Sequence, residues 1–275
     1  ATDAWLARTP GATEKAVNNQ FYARNPSTGL GTIFYNGTQT GSPNSVYVKI
    51  YTTDTGSDVP YSTNRQSLVG GAYAFSVPIA AGKFTYKLVY GTTTGGVDTP
   101  VGSAVTNIVC GDAYIIDGQS NALATDNVAP NDPTTDPWIR TYGLSLGWGY
   151  AISKGSEMQL GLWGWYLAKY LTATYNLPVC IINSAVGGTR IDQHQPNPAN
   201  RYDTSGDPWS NPYNVYGKLL TRVSGGKLTY GIRGVFWHQG ENNSGAADPT
   251  GDFDYKSYQA YFMNMTGAWK QDFPN

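Results

Sequence analysis

Ile115-Ile116-Asp117-Gly118-Gln119-Ser120-Asn121 is the stretch on which the reading of this chain turns. The two isoleucines close a short apolar strand that begins near Ala113, and Gly118 permits a tight turn. Ser120 then stands where a buried parallel strand would hand over to a helix or loop. A hydroxyl there is exposed at the C-terminal edge of a sheet, where open α/β folds place their ligands. It also has unpaired backbone N–H groups beside it, which a developing oxyanion needs. Taken alone, the tetrapeptide Gly-Gln-Ser-Asn reads first as a polar turn.

Two later segments repeat the pattern and shift that balance. Val179-Cys180-Ile181-Ile182-Asn183 is an apolar strand ending in Ser184-Ala185-Val186-Gly187-Gly188-Thr189. Gly231-Ile232-Arg233-Gly234-Val235-Phe236-Trp237 is another, ending in His238-Gln239-Gly240-Glu241-Asn242. Three donor-rich turns at one edge of one sheet would converge on a small polar substrate.

Gly118-Gln119-Ser120-Asn121, Gly187-Gly188-Thr189 and Trp237-His238-Gln239-Gly240-Glu241, in that order, resemble the first three sequence blocks of SGNH/GDSL-type hydrolases. More narrowly they resemble the sialate O-acetylesterase-like branch, the carbohydrate acetyl esterases. The resemblance covers roughly residues 105–275, and the three blocks together are specific where one alone is weak. It implies a three-layer α/β/α parallel-sheet domain and a serine esterase that removes O-acetyl groups from a carbohydrate, sialic acid or an acetylated polysaccharide. It implies Ser120 as nucleophile and the N–H groups of Ser120 and Gly188 as oxyanion donors. A side-chain amide from the third block completes the set, Gln239 by preference and Asn242 as the alternative. Asn121, Gly187, Arg190 and Asn242 stand as substrate-binding candidates, and no metal or other cofactor is called for.

The family's base is a histidine in a C-terminal Asp-x-x-His motif, which does not occur here; the only two histidines are His194 and His238. The Asp/His pair is therefore expected beyond Asn275, on a companion chain or a further segment. The rival is recruitment of His194, with Asp192 or Asp207 orienting it. Asp117 and Glu241 could alternatively form a glycosidase carboxylate pair, although bracing of loops is the plainer role for both. Arg190 would suit a sialate carboxylate or would simply tie loops together. A non-catalytic sugar-binding module on an esterase scaffold is the alternative function.

Composition fits this picture. The chain has 275 residues, a formal net charge of −1 and only 13% charged residues, so a phosphate-binding surface is not expected. No stretch approaches the length of a membrane span. Abundant Tyr, Trp and Gly, with sparse Lys, Arg and Glu, suit a secreted or extracytoplasmic protein that meets sugars. Cys110 and Cys180 are the only cysteines, and their pairing is left open. Three Asn-x-Ser/Thr sequons begin at Asn36, Asn242 and Asn264.

Residues 1–20 read as a polar leading arm. Residues 21–109 read as a small β-sandwich, Ig-like or jelly-roll, with alternating strands at 45–51, 72–77, 83–90 and 103–109. Residues 110–275 read as the first part of the hydrolase domain. Its helices are expected at 157–175, capped by Ser156, at 213–223 and at 254–272. Along the first of these, Leu160, Trp163, Leu167 and Leu171 fall at helical spacing, with Trp163 as core. Three strands are thin for such a sheet, and two more are expected after the last helix.

Overall fold

The computed structural model describes residues 5–53, 60–125, 135–155, 157–248 and 251–275. The chain divides into two compact units. One holds residues 7–111 with 176–178, and the other residues 1–6, 112–175 and 179–275.

All regular elements described in the first unit are strands: β1 (Phe21–Ala23), β2 (Leu30–Thr38), β3 (Ser45–Thr52), β4 (Ser62–Gln66), β5 (Ala72–Ala80), β6 (Tyr86–Thr94), β7 (Val97–Pro100) and the start of β8 (Val105–Gly118). β2 and β5 pair antiparallel as a ribbon of their own, while β3 lies between β4 and β6. β5 alternates buried and exposed residues without a break, as a strand with one face in the core must. Ile33, Phe75, Val77 and Ile79 from the ribbon share one apolar cluster with Val46, Val48, Ile50, Tyr86 and Leu88 from the other sheet. Residues 11–20 take part in this packing. Ala16 is buried, and the Lys15 ammonium lies 4.2 Å and 4.3 Å above the rings of Tyr35 and Tyr73. β2 has no counterpart among the expected strands, because Gly31, Asn36 and Gly37 interrupt its apolar alternation. Gly31 is needed there, since a Cβ on it would meet Cys110 Sγ at 2.7 Å. The Asn36 sequon is buried, its amide donating to Gly11 O at 2.9 Å.

The second unit carries α1 (Ser120–Leu123), β9 (Ile139–Tyr142), β10 (Trp148–Tyr150), α2 (Leu162–Tyr175), β11 (Val179–Asn183), α3 (Asn214–Gly225), β12 (Ile232–His238) and α4 (Tyr255–Asp272). Its sheet runs β10-β9-β11-β8-β12, with β10 antiparallel and the other four parallel. Tyr114, Ile116 and Phe236 face α2, where Phe236 packs at a tilt on Tyr114 and edge to ring on Trp163. Asp117 and Trp237 face the other side, where Trp237 packs on His194 and on Trp269 of α4. Tyr216 of α3 donates to Asp272 of α4 at 2.6 Å, so α3 and α4 share that side. The result is an α/β fold with a mixed sheet and helices on both faces.

Five strands replace the three expected. β9 and β10 are only four and three residues long and read Ile-Arg-Thr-Tyr and Trp-Gly-Tyr, too short and too polar to register as apolar runs. The strand count therefore no longer argues for two more strands after the last helix. α2 starts at Leu162 rather than at residue 157, and the expected cap Ser156 lies outside the described residues. Gly161 sets that start: its φ of +74° is outside the helical region, and a Cβ there would strike Leu123 O at 2.0 Å. The buried stripe of α2 is Gly164, Trp165, Ala168 and Thr172, so Trp165 and not Trp163 is core. Small residues let the helix lie close to the sheet; a Cβ on Gly164 would already be 2.8 Å from Ile116 Cδ1. α4 begins one residue after its cap, Asp254, which accepts Ser257 N–H at 2.7 Å. Both cysteines are buried and not joined in a disulfide, and burial pushes the Cys180 thiol far above its usual range. No described helix is long and apolar enough to cross a membrane.

Candidate active site

The end of β8 is where the three motif turns meet. Gly118 has φ +138°, and a Cβ on it would lie 2.0 Å from His238 O, so only glycine lets β12 approach this closely. The next N–H, that of Gln119, donates to that same carbonyl at 3.1 Å. Ser120 then opens the single turn α1, closed by the left-handed Ala124, whose N–H returns to Ser120 O at 2.7 Å. Ser120 itself is half-buried.

The second turn is clasped to the same strand end. Ser184 N–H donates to Ile116 O at 2.8 Å and Val186 N–H to Gly118 O at 3.0 Å. A Cβ on Gly187 would sit 3.8 Å from Ser120 Cβ, so this turn lies directly against the serine. Gly188 follows with φ +80°, and the buried Thr189 donates to Val186 O at 2.7 Å. Two buried side chains anchor the approach. Asn183 donates to Ala122 O and Leu160 O at 3.1 Å and 2.6 Å. Arg222 of α3 donates to Asn183 O at 2.5 Å and twice to Tyr142 O, and burial pulls its guanidinium down to about 10.

The third turn is tied in by amides. Gln119, only 2% exposed, accepts on Oε1 the N–H groups of Gly240 (3.3 Å) and Asn242 (3.1 Å) and the amide of Gln239 (3.1 Å). Gln239 Nε2 also reaches Thr189 O at 3.2 Å and Asn243 Oδ1 at 2.6 Å. Asn243 Oδ1 in turn accepts Ile191 N–H at 3.1 Å. One neutral amide thus joins all three turns. An amide nitrogen has two hydrogens for these three acceptors. The short bond to Asn243 takes one, and the longer contacts to Gln119 and Thr189 share the other.

The charged candidates are engaged elsewhere. His194 is fully buried, with Nδ1 3.4 Å from Asp117 Oδ2 and Nε2 2.8 Å from Thr189 Oγ1. Neither Asp192 nor Asp207 orients it: Asp192 accepts from Arg190, and Asp207 accepts the N–H groups of Trp209 and Ser210. The arrangement on which the His194 rival rests is therefore not formed. Asp117 is 0% exposed and also accepts Gly118 N–H at 2.8 Å, so a glycosidase pair with Glu241 has no access to a substrate through it. Glu241 lies at the rim, beside Asn121 Nδ2 and 3.2 Å from His238 Nε2. Its own backbone N–H, then Asn121, hold its carboxyl below the usual glutamate range. Arg190 is a loop tie: two nitrogens bind Asp192, a third donates to Ala247 O at 2.9 Å, and the guanidinium lies over Phe253. Among the described residues no group of three or more His, Cys, Asp or Glu is placed to hold a metal ion.

Three participants carry no role in the motif reading. Gln119 and Asn243 are the amides that join the turns, and nothing in the spacing of the blocks singles them out. Trp209 lies beside Gly188, with its Cζ2 3.6 Å from where a Cβ on that glycine would stand. Its place in Asp207-Pro208-Trp209-Ser210, a turn signature, was the available signal. A cavity of about 290 Å³ lined by Leu123, Ala185, Val186, Gly187 and Val215 adjoins the second turn. A larger cleft of about 930 Å³, lined by Gln195, Arg201, Tyr213 and Tyr261, includes neither Ser120 nor the turn donors.

Among curated proteins, none matches the sequence. A carbohydrate acetylesterase from Xanthomonas citri is structurally similar at a TM-score of 0.52 and 19% identity, over 94% of this chain and 56% of that one. The likeness is one of fold, and the present chain spans little more than half the length of that protein. An Arabidopsis thaliana protein aligns with a TM-score of 0.42 and 19% identity, over 59% of this chain and 70% of its own. Residues 110–274, which contain all three turns, match the family described as carbohydrate esterase, sialic acid-specific acetylesterase. That match spans more than half of the sequence, and the chain belongs to this family of carbohydrate esterases.

Proposed function

We propose that the protein is a serine esterase that removes O-acetyl groups from a carbohydrate, with Ser120 as nucleophile. The observation that carries this reading is the convergence of the second and third turns on the end of β8, with Gly187 against Ser120 and the Gln239 amide joining all three. Ser120 Oγ attacks the acetyl carbonyl carbon and its proton passes to a base. The tetrahedral oxyanion is held by the N–H groups of Ser120 and Gly188. Gln239 is the third donor; the hydrogen it shares between Gln119 and Thr189 is the one an oxyanion competes for, and Asn242 is the alternative. Collapse breaks the carbonyl carbon–sugar oxygen bond, the sugar alkoxide takes the proton, and acetyl-Ser120 remains. Water activated by the same base then releases acetate.

A neutral serine needs that base, and neither His194 nor His238 hydrogen-bonds the Ser120 hydroxyl in the described structure. We infer that an Asp-x-x-His pair outside residues 1–275, on a companion chain or a further segment, supplies it. Low charge and abundant tyrosine and tryptophan support an extracytoplasmic site of action.

The test is acetate release from an acetylated polysaccharide by the whole protein, parent against Ser120→Ala. The variant is expected to lose at least about 10³-fold in turnover. Equal rates would remove Ser120 from the mechanism, and saturable glycan binding without turnover by the parent would favour a binding module.

A further inference from the structure

Trp209 is 66% exposed, yet its loop is held from several directions. Asp207 Oδ1 accepts Trp209 N–H and Ser210 N–H, each at 2.9 Å. Gln193, from the segment just after the second turn, donates to Pro208 O at 2.8 Å. The fully buried Asn214 donates to the carbonyls of Thr204, Ser205 and Gly206 at 2.8, 3.0 and 3.0 Å. A large apolar ring left in water costs free energy, and a loop braced in this way cannot fold the ring inward to recover it. The indole stands over Gly188, 3.6 Å from the position of a glycine Cβ. It therefore flanks the N–H that the esterase reading assigns to the oxyanion.

We propose that Trp209 is the stacking platform for the sugar ring that carries the scissile acetyl group, the substrate being an O-acetylated neutral pyranoside; this rests on Ser120 being the nucleophile. A β-linked pyranose with equatorial substituents presents a face of axial C–H groups. Their slightly positive hydrogens suit the negative face of an indole. A ring stacked there has its ester oxygens beside Gly188 and Ser120. Recognition of a ring face rather than of a charge agrees with Arg190, whose guanidinium is taken up by Asp192, Ala247 O and Phe253. Because loop and ring are already ordered, little conformational freedom is lost on binding.

Two measurements on the whole protein test the platform. In a Ser120→Ala background, where turnover is blocked, binding of acetylated xylo-oligosaccharide is measured by calorimetry and saturation-transfer NMR. Adding Trp209→Ala is expected to weaken it about tenfold, and Trp209→Phe to restore most of the loss. With Ser120 intact, the kcat/KM ratio for acetylated xylo-oligosaccharide over ethyl acetate, an ester with no ring, is expected to fall about tenfold in Trp209→Ala, carried by KM. Unchanged binding, an unchanged ratio, or equal losses on both esters that Trp209→Phe does not repair would overturn the proposal. Failure of the parent to cleave either ester would sink the esterase reading instead. The binding measurement would still decide the platform, since loss of binding with Trp209→Ala supports it and unaltered binding does not.

Discussion

Replacing Gly118 by alanine would set a methyl carbon 2.0 Å from His238 O and 3.0 Å from Ala122 Cβ. Even a weak C–H···O contact needs about 3.3 Å, so the ends of β8 and β12 must part by more than about 1 Å. Three costs then add. A side chain at the observed φ of +138° carries backbone strain of about 1–3 kcal/mol. The Gln119 N–H to His238 O bond, 3.1 Å in the parent, is lost at about 1 kcal/mol. Gln119 Oε1 is drawn away from the Gly240 and Asn242 N–H groups, which loosens the third turn. The first two alone come to about 2–4 kcal/mol. At about 2–4 °C per kcal/mol for a domain of this size, Gly118→Ala should melt about 5–15 °C below the parent by circular dichroism. Ser120 shifts with the strand end, and a misplacement of about 1 Å can cost about 10²-fold in rate. The acetate-release rate measured well below the new melting point should therefore fall far more than the folded fraction does. A variant that melts within about 1 °C of the parent would refute the claim that strand approach, rather than turn preference, fixes glycine at this position.

Gln239→Leu keeps the bulk but deprives Gln119, Thr189 O and Asn243 of their common donor. It should destabilise the fold by about 1–3 kcal/mol and cut acetate release by about 10²-fold or more. Full activity with a lowered melting point would reduce Gln239 to a brace alone. The Asp98 carboxyl, bound first by Arg65 and then by Lys49, is held well below its usual range. A lowered folded value means its contribution is complete above the unfolded value of about 4 and is lost as the pH falls toward the folded one. Melting curves between pH 5 and pH 2 should therefore show a mild loss, modest because these ions face solvent, that Asp98→Asn flattens. Superimposable pH profiles for parent and variant would argue that the triad contributes nothing.

The α/β half was legible wherever chemistry and periodicity pointed the same way. The Ile115–Ile116 run, the Val179–Ile182 run and the Ile232–Trp237 run lie in three neighbouring parallel strands, and each is followed by its glycine turn. α4 was legible almost to the residue because Asp254 caps it. What stayed hidden has physical reasons. β10 is the edge strand and only partly buried, while β9, three of whose four residues are buried, carries Arg140 and Thr141, so neither makes an apolar run. Arg140 is nonetheless fully buried in β9, the opposite of what its type suggests, with its guanidinium over Tyr150. α2 misled because Leu167 and Leu171 have helical spacing while the residues that meet the sheet are Gly164, Ala168 and Thr172. Close packing on small residues leaves no hydrophobic signature. At the site, the motif residues were legible as types, but the amides of Gln119 and Asn243 and the ring of Trp209 were not, since their roles come from contacts across 50 residues or more or from a loop brought in by α3.

The bonds that fasten the three turns to one another are nearly all made by neutral groups: Gln119, Gln239, Asn183, Asn243 and backbone amides. Carboxylates are kept back. Asp117 is sealed beneath the site against His194 and Gly118 N–H, while Glu241 stands at the rim with Asn121 and His238. This division suits the charge that the proposed acyl transfer would create. In the proposed mechanism, a negative oxygen forming between Ser120 and Gly188 would be stabilised by fixed dipoles and repelled by any nearby carboxylate. A scaffold that braced its turns with ion pairs would place a negative charge where the oxyanion must form. Bracing by amides holds the donors rigid and leaves the local field positive. The same logic accounts for the burial of His194. With both ring nitrogens engaged, it cannot serve Ser120 without breaking the support of Thr189, on which the second turn rests. In the proposed mechanism, activation of Ser120 therefore falls to a different base, one that can gain and lose a proton without loosening the donors.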